Sequence, residues 1–323
     1  MTKLKLSVVI PCYNEQSCLE ELCQRVVPVC AASVGEDYEL VLVNDGSSDA
    51  TWSVMQQLCK VYPTLKVIDL SRNYGHQLAL SAGLKLCSGE RIFVLDADLQ
   101  DPPELLPEMM AMMDAGVDVV YGQRTERAGE SVFKKLTAHI FYRTLNKLID
   151  VKVPPDTGDF RLMSRRVLNT LNDMPEHYRF IRGMVSWIGF RQEALLYQRA
   201  PRFSGKTHYG LSKMLKLATD AVTGFSVRPL RLASYAGLAC AAGAILGLFF
   251  LLWEYFFGQT VRGWTSLGVL ILVIGSVQMF VIGIIGEYIG RLYIESKGRP
   301  LYIIREVVKG QASYDSNRSL GSR

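Results

Sequence analysis

Hydrophobic positions in the first half of the chain follow two alternating patterns. Short runs rich in valine, isoleucine and leucine read as buried strands: LKLSVVIP (4–11), YELVLVND (38–45), LKVIDLS (65–71), RIFVLDAD (91–98) and VDVVYGQR (117–124). Between them, residues 15–34, 49–62, 75–87 and 103–115 place apolar side chains three and four apart, the period of a helix with one buried face. Strands alternating with helices predict an α/β fold around a doubly wound, mostly parallel sheet. Ligands of such sheets bind beyond the carboxyl ends of the strands. The polar clusters stand at those ends: Pro11, Tyr13 and Glu15 after the first strand, Asn44 and Asp45 after the second, Ser71 to Asn73 after the third, and Asp96, Asp98 and Gln100 after the fourth.

The pattern changes after residue 231. Residues 232–257 are nearly all apolar, interrupted by Glu254, and residues 266–286 carry only Gln278 and two serines as polar members. Each run matches the roughly 20 residues that cross a bilayer core; a helix buried in a soluble domain is the alternative. The connecting loop, GQTVRG, is too short to hold a domain, so the runs form a hairpin. Arg228 and Arg231 precede it, Arg291, Lys297, Arg299, Arg305 and Lys309 follow it, and one arginine lies in the loop. That bias predicts a multi-pass anchor in the inner membrane with both ends in the cytoplasm, and Trp253, Tyr255, Trp264 and Tyr288 suit the interfaces. The expected organisation is a cytoplasmic catalytic domain over 1–208 and an amphipathic helix with linker over 209–230. Two transmembrane helices follow over 231–290 (about 232–257 and 264–286), then a cytoplasmic tail over 291–323.

Two basic amphipathic stretches lie outside these elements. In 131–149, Phe133, Leu136, Ile140, Phe141, Leu145 and Leu148 form a stripe flanked by Lys134, Lys135, Arg143 and Lys147; 209–225 repeats the arrangement with Leu211, Met214, Leu215, Ala218 and Val222. Such helices can lie among lipid headgroups, and the first fits a helix packed on the sheet or on a partner subunit equally well.

Composition narrows the class. Of 323 residues, 49% are hydrophobic and 21% charged, and the apolar excess collects in the hairpin. The remainder is long enough to close a core. A net charge of +5 is mild and gives no nucleic-acid signature. Seven cysteines, an odd number without a C-x-x-C pair, predict reduced thiols in place of a disulfide framework. The start, MTKLKLSVVIP, runs straight into a strand without the apolar core of a signal peptide. No G-x-G-x-x-G follows the first strand and no P-loop is present, which disfavours a nicotinamide dehydrogenase or a P-loop kinase.

The strongest chemical signal is Asp96-Ala97-Asp98. Alternation along an extended strand aims both carboxylates to one side, where they repel unless a cation separates them. Mg²⁺ or Mn²⁺ accepts such oxygen ligands, Gln100 adds another, and substrate phosphates complete the shell. The metal would neutralise a departing diphosphate. A bare D-x-D can also be a turn or a cap; its place at the end of an apolar strand, followed by Gln-Asp-Pro-Pro-Glu, favours the metal.

VVIPCYNE, VNDGSSD, LDADLQDPPE and TGDFRLMSR, followed by a two-helix hairpin, resemble the family 2 glycosyltransferases of GT-A fold. More narrowly the chain looks like the polyprenyl-phosphate glycosyltransferases of the bactoprenol glucosyltransferase branch, with dolichyl-phosphate mannose synthases as more distant relatives. The resemblance covers residues 5–308. It implies that Pro11, Tyr13, Glu15, Asn73 and Asp96 hold a nucleotide sugar, with Asp45 reading the uracil edge. It places Mg²⁺ or Mn²⁺ on Asp96, Asp98 and Gln100. The expected reaction is inverting transfer of one sugar, glucose from UDP-glucose as first choice, to undecaprenyl phosphate, for a cell-envelope glycan or O-antigen modification. Mannose or an aminosugar from another donor is the alternative. The branch also suggests a tetramer joined through residues 301–308.

Asp159, in Gly158-Asp159-Phe160-Arg161-Leu162, matches the residue usually offered as catalytic base, with Asp98 and Arg124 completing the catalytic set. A phosphate monoester has a second pKa of about 6 and is largely a dianion at neutral pH, so its attack needs no base. The expected role of Asp159 is therefore to orient a cation or the acceptor, through Arg161. Several negative charges must be offset, and Arg124, Arg127, Arg202 and Lys206 are the expected contacts to the lipid phosphate, arginine being suited to bidentate binding. A processive polysaccharide synthase would carry Q-x-x-R-W and more spans. Two spans without a polar midplane path make a poor transporter. An inactive membrane scaffold is the non-enzymatic alternative.

Overall fold

The structure, a computed structural model, describes residues 4–125, 154, 157–198, 226, 228–257 and 264–310. It divides into two compact units, Met1–Tyr142, Val151–Gly210 and Pro300–Arg323 in one, Arg143–Asp150 and Leu211–Arg299 in the other.

In the first unit, strands β1 (Leu6–Cys12), β2 (Tyr38–Asn44), β3 (Leu65–Leu70) and β4 (Arg91–Val94) form the parallel centre of an eight-stranded sheet. They alternate with helices α1 (Leu19–Val34), α2 (Thr51–Val61) and α3 (His76–Leu86). A 3₁₀ turn at Pro103–Leu105 leads into α4 (Leu106–Asp114), then β5 (Val119–Arg124), β6 (Thr157–Ser164), α5 (Arg165–Asp173), α6 (Ile181–Ile188) and β7 (Gln192–Tyr197). The strand order is β7-β5-β6-β4-β1-β2-β3-β8, where β8 is Ile304–Lys309. β6 runs antiparallel to β4 and β5, and β8 runs antiparallel to β3.

Successive residues of β1 and β2 are buried on opposite faces, as a sheet covered on both sides requires. Leu6, Val8 and Ile10 join Leu40, Leu42 and Phe93 in a core with Leu22 and Val26 of α1 and Leu106 and Met109 of α4. α3 covers the other face, close enough that a Cβ on Gly83 would stand 2.4 Å from a methyl of Val9. In register, Cys12 faces Asn44 and Asn44 faces Asp69, so the polar strand ends stand side by side.

The structure corrects one expectation. β4 stops at Val94, and residues 97–98 form a turn, with Leu99 in the left-handed region at φ 57°. Asp96 and Asp98 are therefore carried by a turn and not by alternation along a strand. Of the segment expected as a tail, 291–323, residues Ile304–Lys309 form β8, which closes the edge of the sheet beside β3.

The second unit contains α7 (Arg228–Phe257) and α8 (Trp264–Ser296). Both are long and apolar enough to cross a membrane, through Pro229–Gly247 and Val273–Ser296. Leu238, Leu246, Phe249, Met279 and Phe280 turn outward, as side chains meeting lipid do. Glu287 and Arg291, one turn apart on α8, pair at 3.0 Å.

Candidate active site

The tips of β1, β2 and β3 are stitched together by their own polar side chains. Ser47 donates its amide to Asn44 Oδ1 at 3.1 Å and accepts the Asn14 amide on its hydroxyl at 3.0 Å; the Ser48 amide returns to Asn14 Oδ1 at 2.9 Å. Asp45 is buried, and its two carboxylate oxygens accept the amides of Tyr74 at 2.7 Å and Gly75 at 2.9 Å. It thus fixes the loop after β3, which lies so close that a Cβ on Gly46 would stand 2.4 Å from the Arg72 carbonyl carbon. Of the side chains expected to hold a nucleoside, Pro11 is buried, Glu15 is half-buried with its amide on Thr51, and Tyr13 and Asn73 are exposed at the same edge.

At the next tip, Asp98 Oδ1 accepts the Gln100 amide at 3.2 Å, which tightens the turn. Asp96 Oδ1 is buried and accepts no hydrogen bond from the described residues. Burial, with the charges of Asp159, Asp101 and Asp98, pushes the Asp96 carboxyl up to about 6 although His76 opposes it. Among the described residues no three His, Cys, Asp or Glu side chains stand at metal-ligand spacing. Asp96 and Asp98 would offer two carboxylates at one turn, few protein ligands within a surplus of negative charge from Asp159 and Asp101. That suits a hard divalent cation completed by phosphate oxygens.

Asp159 projects from β6, and almost everything around it is a donor or a cation. Gln77 donates to Oδ2 at 2.8 Å and His76 Nε2 stands 3.1 Å from the same oxygen; Arg161 and Arg182 lie 3.7 Å from Oδ1. Burial alone would raise the Asp159 carboxyl, but Arg182, His76 and Arg161 outweigh it and hold it far below the usual carboxylate range. Burial pulls His76 down, and Asp159 and Asp96 more than reverse this. His76 Nε2 also stands 3.6 Å from Asp96 Oδ1, so the D-x-D turn and the Asp159 strand meet at one imidazole. Arg161 is buried and donates to the backbone carbonyls of Gly158 at 3.0 Å and Asp159 at 3.3 Å. Arg182 donates to the Thr157 carbonyl at 2.9 Å.

Arg124 ends β5, with Nε 3.3 Å from the Tyr197 hydroxyl and Nη2 3.8 Å from Asp101 Oδ1. Tyr197 donates to Asp101, which is fully buried just after the D-x-D turn. A Cβ on Gly158 would stand 3.0 Å from Arg124 Nη2, so glycine there leaves room for the guanidinium. Arg127, Arg202 and Lys206, with the amphipathic stretches 131–149 and 209–225, lie outside the described residues.

Residues 7–171 match the family model for glycosyl transferase family 2. The chain belongs to that family. Its mostly parallel α/β sheet is the GT-A fold, and residues 228–292 of this glycosyltransferase match the GtrB C-terminal hairpin. It is 46% identical over 304 residues to an uncharacterized glycosyltransferase of Bacillus subtilis, YkcC, covering 94% of each chain. Against the prophage bactoprenol glucosyl transferase homolog of Escherichia coli K12 it is 40% identical, over 95% of this chain and 100% of that one. The bactoprenol glucosyl transferase of Shigella phage SfV is 39% identical, over 94% and 98%. Among solved structures, S. aureus TarS 1–349 in complex with UDP-GlcNAc gives 19% identity and a TM-score of 0.47, over 89% of this chain and 81% of that one, too slight a likeness to bear on function.

Four side chains of this glycosyltransferase's site escaped the sequence reading: His76, Gln77, Arg182 and Tyr197. His76 and Gln77 open a helix directly after a strand tip, a position that could have flagged them. Arg182 and Tyr197 carry no local signal, because what they touch is distant in sequence.

Proposed function

We propose that this glycosyltransferase moves a single hexose, glucose from UDP-glucose as first choice, onto a polyprenyl phosphate such as undecaprenyl phosphate at the cytoplasmic face of a membrane. Relatives named bactoprenol glucosyl transferase support the acceptor class and the sugar. The observation that carries the reading is the meeting of Asp96 and Asp159 at His76, at 3.6 and 3.1 Å. It joins a turn suited to a donor diphosphate to a strand lined with arginines suited to an acceptor phosphate.

Asp96, Asp98 and Gln100 would hold Mg²⁺ or Mn²⁺, and the Asp96 oxygen that no described residue hydrogen-bonds fits that role. When bound, the cation neutralises charge on the leaving diphosphate. Pro11, Tyr13, Glu15 and Asn73 line the side of the nucleotide. Asp45 acts there as the anchor of the loop after β3. An acceptor phosphate oxygen attacks the anomeric carbon as the bond to the diphosphate breaks. UDP departs with that electron pair, and the centre inverts, giving a β-linked lipid from an α-linked donor. No proton need move, since the acceptor is already largely dianionic. Asp159 holds Arg161, Arg182 and His76 in place, and Arg124, fixed by Tyr197 and Asp101, would bind the acceptor phosphate, with Arg127, Arg202 and Lys206 as the further contacts expected from sequence. α7 and α8 would anchor the chain in that membrane as a hairpin, in a homo-oligomer, with both termini in the cytoplasm.

The test incubates purified protein with Mn²⁺, radiolabelled nucleotide sugars and undecaprenyl phosphate, then follows label into the organic phase. Label from UDP-glucose, reduced about a hundredfold or more in Asp98→Asn, is the expected result. Label from a mannose or aminosugar donor replaces the sugar assignment. A folded Asp98→Asn variant with full transfer overturns the site, and no transfer from any donor favours a scaffold.

A further inference from the structure

Asp69 is 1% exposed near the end of β3, in a place where an unmatched carboxylate would be costly. Among the described residues its side chain has two partners. Asn44 Nδ2 donates to Oδ1 at 2.7 Å, and Arg305 Nη1, from β8, donates to Oδ2 at 2.8 Å. Committing its amide nitrogen to Asp69 turns the Asn44 oxygen toward the Ser47 amide, 3.1 Å away, and Ser47 in turn receives the Asn14 amide. A continuous line of hydrogen bonds therefore runs from Arg305 through the tips of β3, β2 and β1.

A second arm starts at the same guanidinium. Arg305 Nη2 donates to the Ser71 carbonyl at 2.8 Å, and the Ile303 carbonyl accepts the Ser71 amide at 2.9 Å. Ser71 opens the loop whose Tyr74 and Gly75 amides grip Asp45. Residues 303–305 thus hold the loop by its first residue while Asp45 holds it by its last. The planar fork of arginine reaches a carboxylate and a carbonyl at once, which an ammonium does less well.

We propose that Arg305 is a positioning residue for the donor nucleotide, acting through Asp69 and Asn44 on the loop after β2 and through Ser71 on the loop after β3. The proposal rests on the reading that these tips hold the nucleotide, and it names a residue outside the family 2 segment, 7–171, that shapes them. Arg305 is itself 59% exposed, so its loss opens no cavity. What suffers is the buried carboxylate left behind and the loops that lean on it.

The experiment uses the full-length protein in detergent. In Arg305→Met, the affinity for UDP in the presence of Mn²⁺, read by calorimetry, weakens about three- to tenfold. The KM for the nucleotide sugar rises by the same factor, while kcat and the KM for polyprenyl phosphate stay within about twofold. Amide exchange of a peptide spanning 71–76 quickens. Arg305→Lys recovers part of each effect, and Glu306→Gln, at the neighbouring exposed position, changes none. If Arg305→Met lowers only the melting temperature, with UDP affinity and exchange at 71–76 unchanged, Arg305 merely fastens the sheet edge and the proposal is overturned. If wild-type protein binds no UDP, it is the nucleotide reading that fails. The exchange measurement needs no ligand and still decides the hold on the loop: unchanged exchange removes it.

Discussion

A carboxylate makes an effective base when a proton finds a favourable resting place on it, and the surroundings of Asp159 deny that. Two guanidiniums, an imidazole and an amide stabilise its charged form, far from the pKa near neutrality that suits general-base work. The rate of sugar transfer is accordingly expected to stay flat above about pH 7; a profile following one carboxylate in that range contradicts the orienting role. The substitution Asp159→Asn separates the roles further. It leaves Arg161 buried beside a neutral neighbour, so stability should fall along with the rate, by an amount on the order of 3–5 kcal/mol, read as a lower melting temperature. A residue acting only as a base would lose rate alone. A second acid, Asp118, gives a pH signature of stability. Its hydrogen bond and ion pair with Arg166 hold it below the usual carboxylate range. A depressed folded pKa contributes stability that is complete above the unfolded value of about 4 and is lost as pH falls through the folded one. Wild type and Asp118→Asn should therefore differ in melting temperature at pH 7 and converge in acid. Little of this was readable in advance. Asp96, Asp98 and Arg124 were found from their positions at strand ends and Asp159 from the family resemblance, whereas the partners that set their chemistry come from segments distant in sequence.

Elements place these residues by close approach. Gly122 of β5 lies under the Phe160 ring, and a Cβ there would stand 2.3 Å from it and 2.8 Å from Tyr197. Phe160 is already wedged between Phe93, edge to face, and Tyr197, at a tilt, at centroid separations of 5.4 and 5.3 Å, which leaves it little room to yield. Gly122→Ala should cost about 1–3 kcal/mol from overpacking, measured by thermal melting. Pushing Tyr197 away from Asp101 and Arg124 should lower transfer as well. At this scale the first five strands and four helices were legible because their periodicities are clean. The turn after β4 was not: LDAD continues an apolar run, and only the backbone shows Leu99 reversing the chain. β8 was missed because IREVVK mixes charges with valines, as a strand with one wet side does, and its partner β3 is remote in sequence.

For the whole molecule, two long apolar helices were evident from the hydropathy pattern alone, and the proposed orientation rests on arginine and lysine counts. The topology can be read with a single introduced thiol. Cys12, Cys18, Cys23, Cys30, Cys59 and Cys87 are all buried, and Cys240 belongs to α7. Thr260→Cys, in the loop between α7 and α8, should therefore react with an impermeant maleimide applied outside intact cells. Labelling only after the membrane is opened would reverse the proposed orientation.

The last strand of the sheet leaves the ribosome after both apolar helices. Until residues 304–309 emerge, β3 has a bare edge, Asp69 lacks its guanidinium and the loop after β3 lacks its first anchor. Biosynthesis thus imposes an order on assembly. Both apolar helices are already synthesised when the loops after β2 and β3 gain their final brace, so a chain stalled between the two carries the hairpin but an unfinished sheet edge.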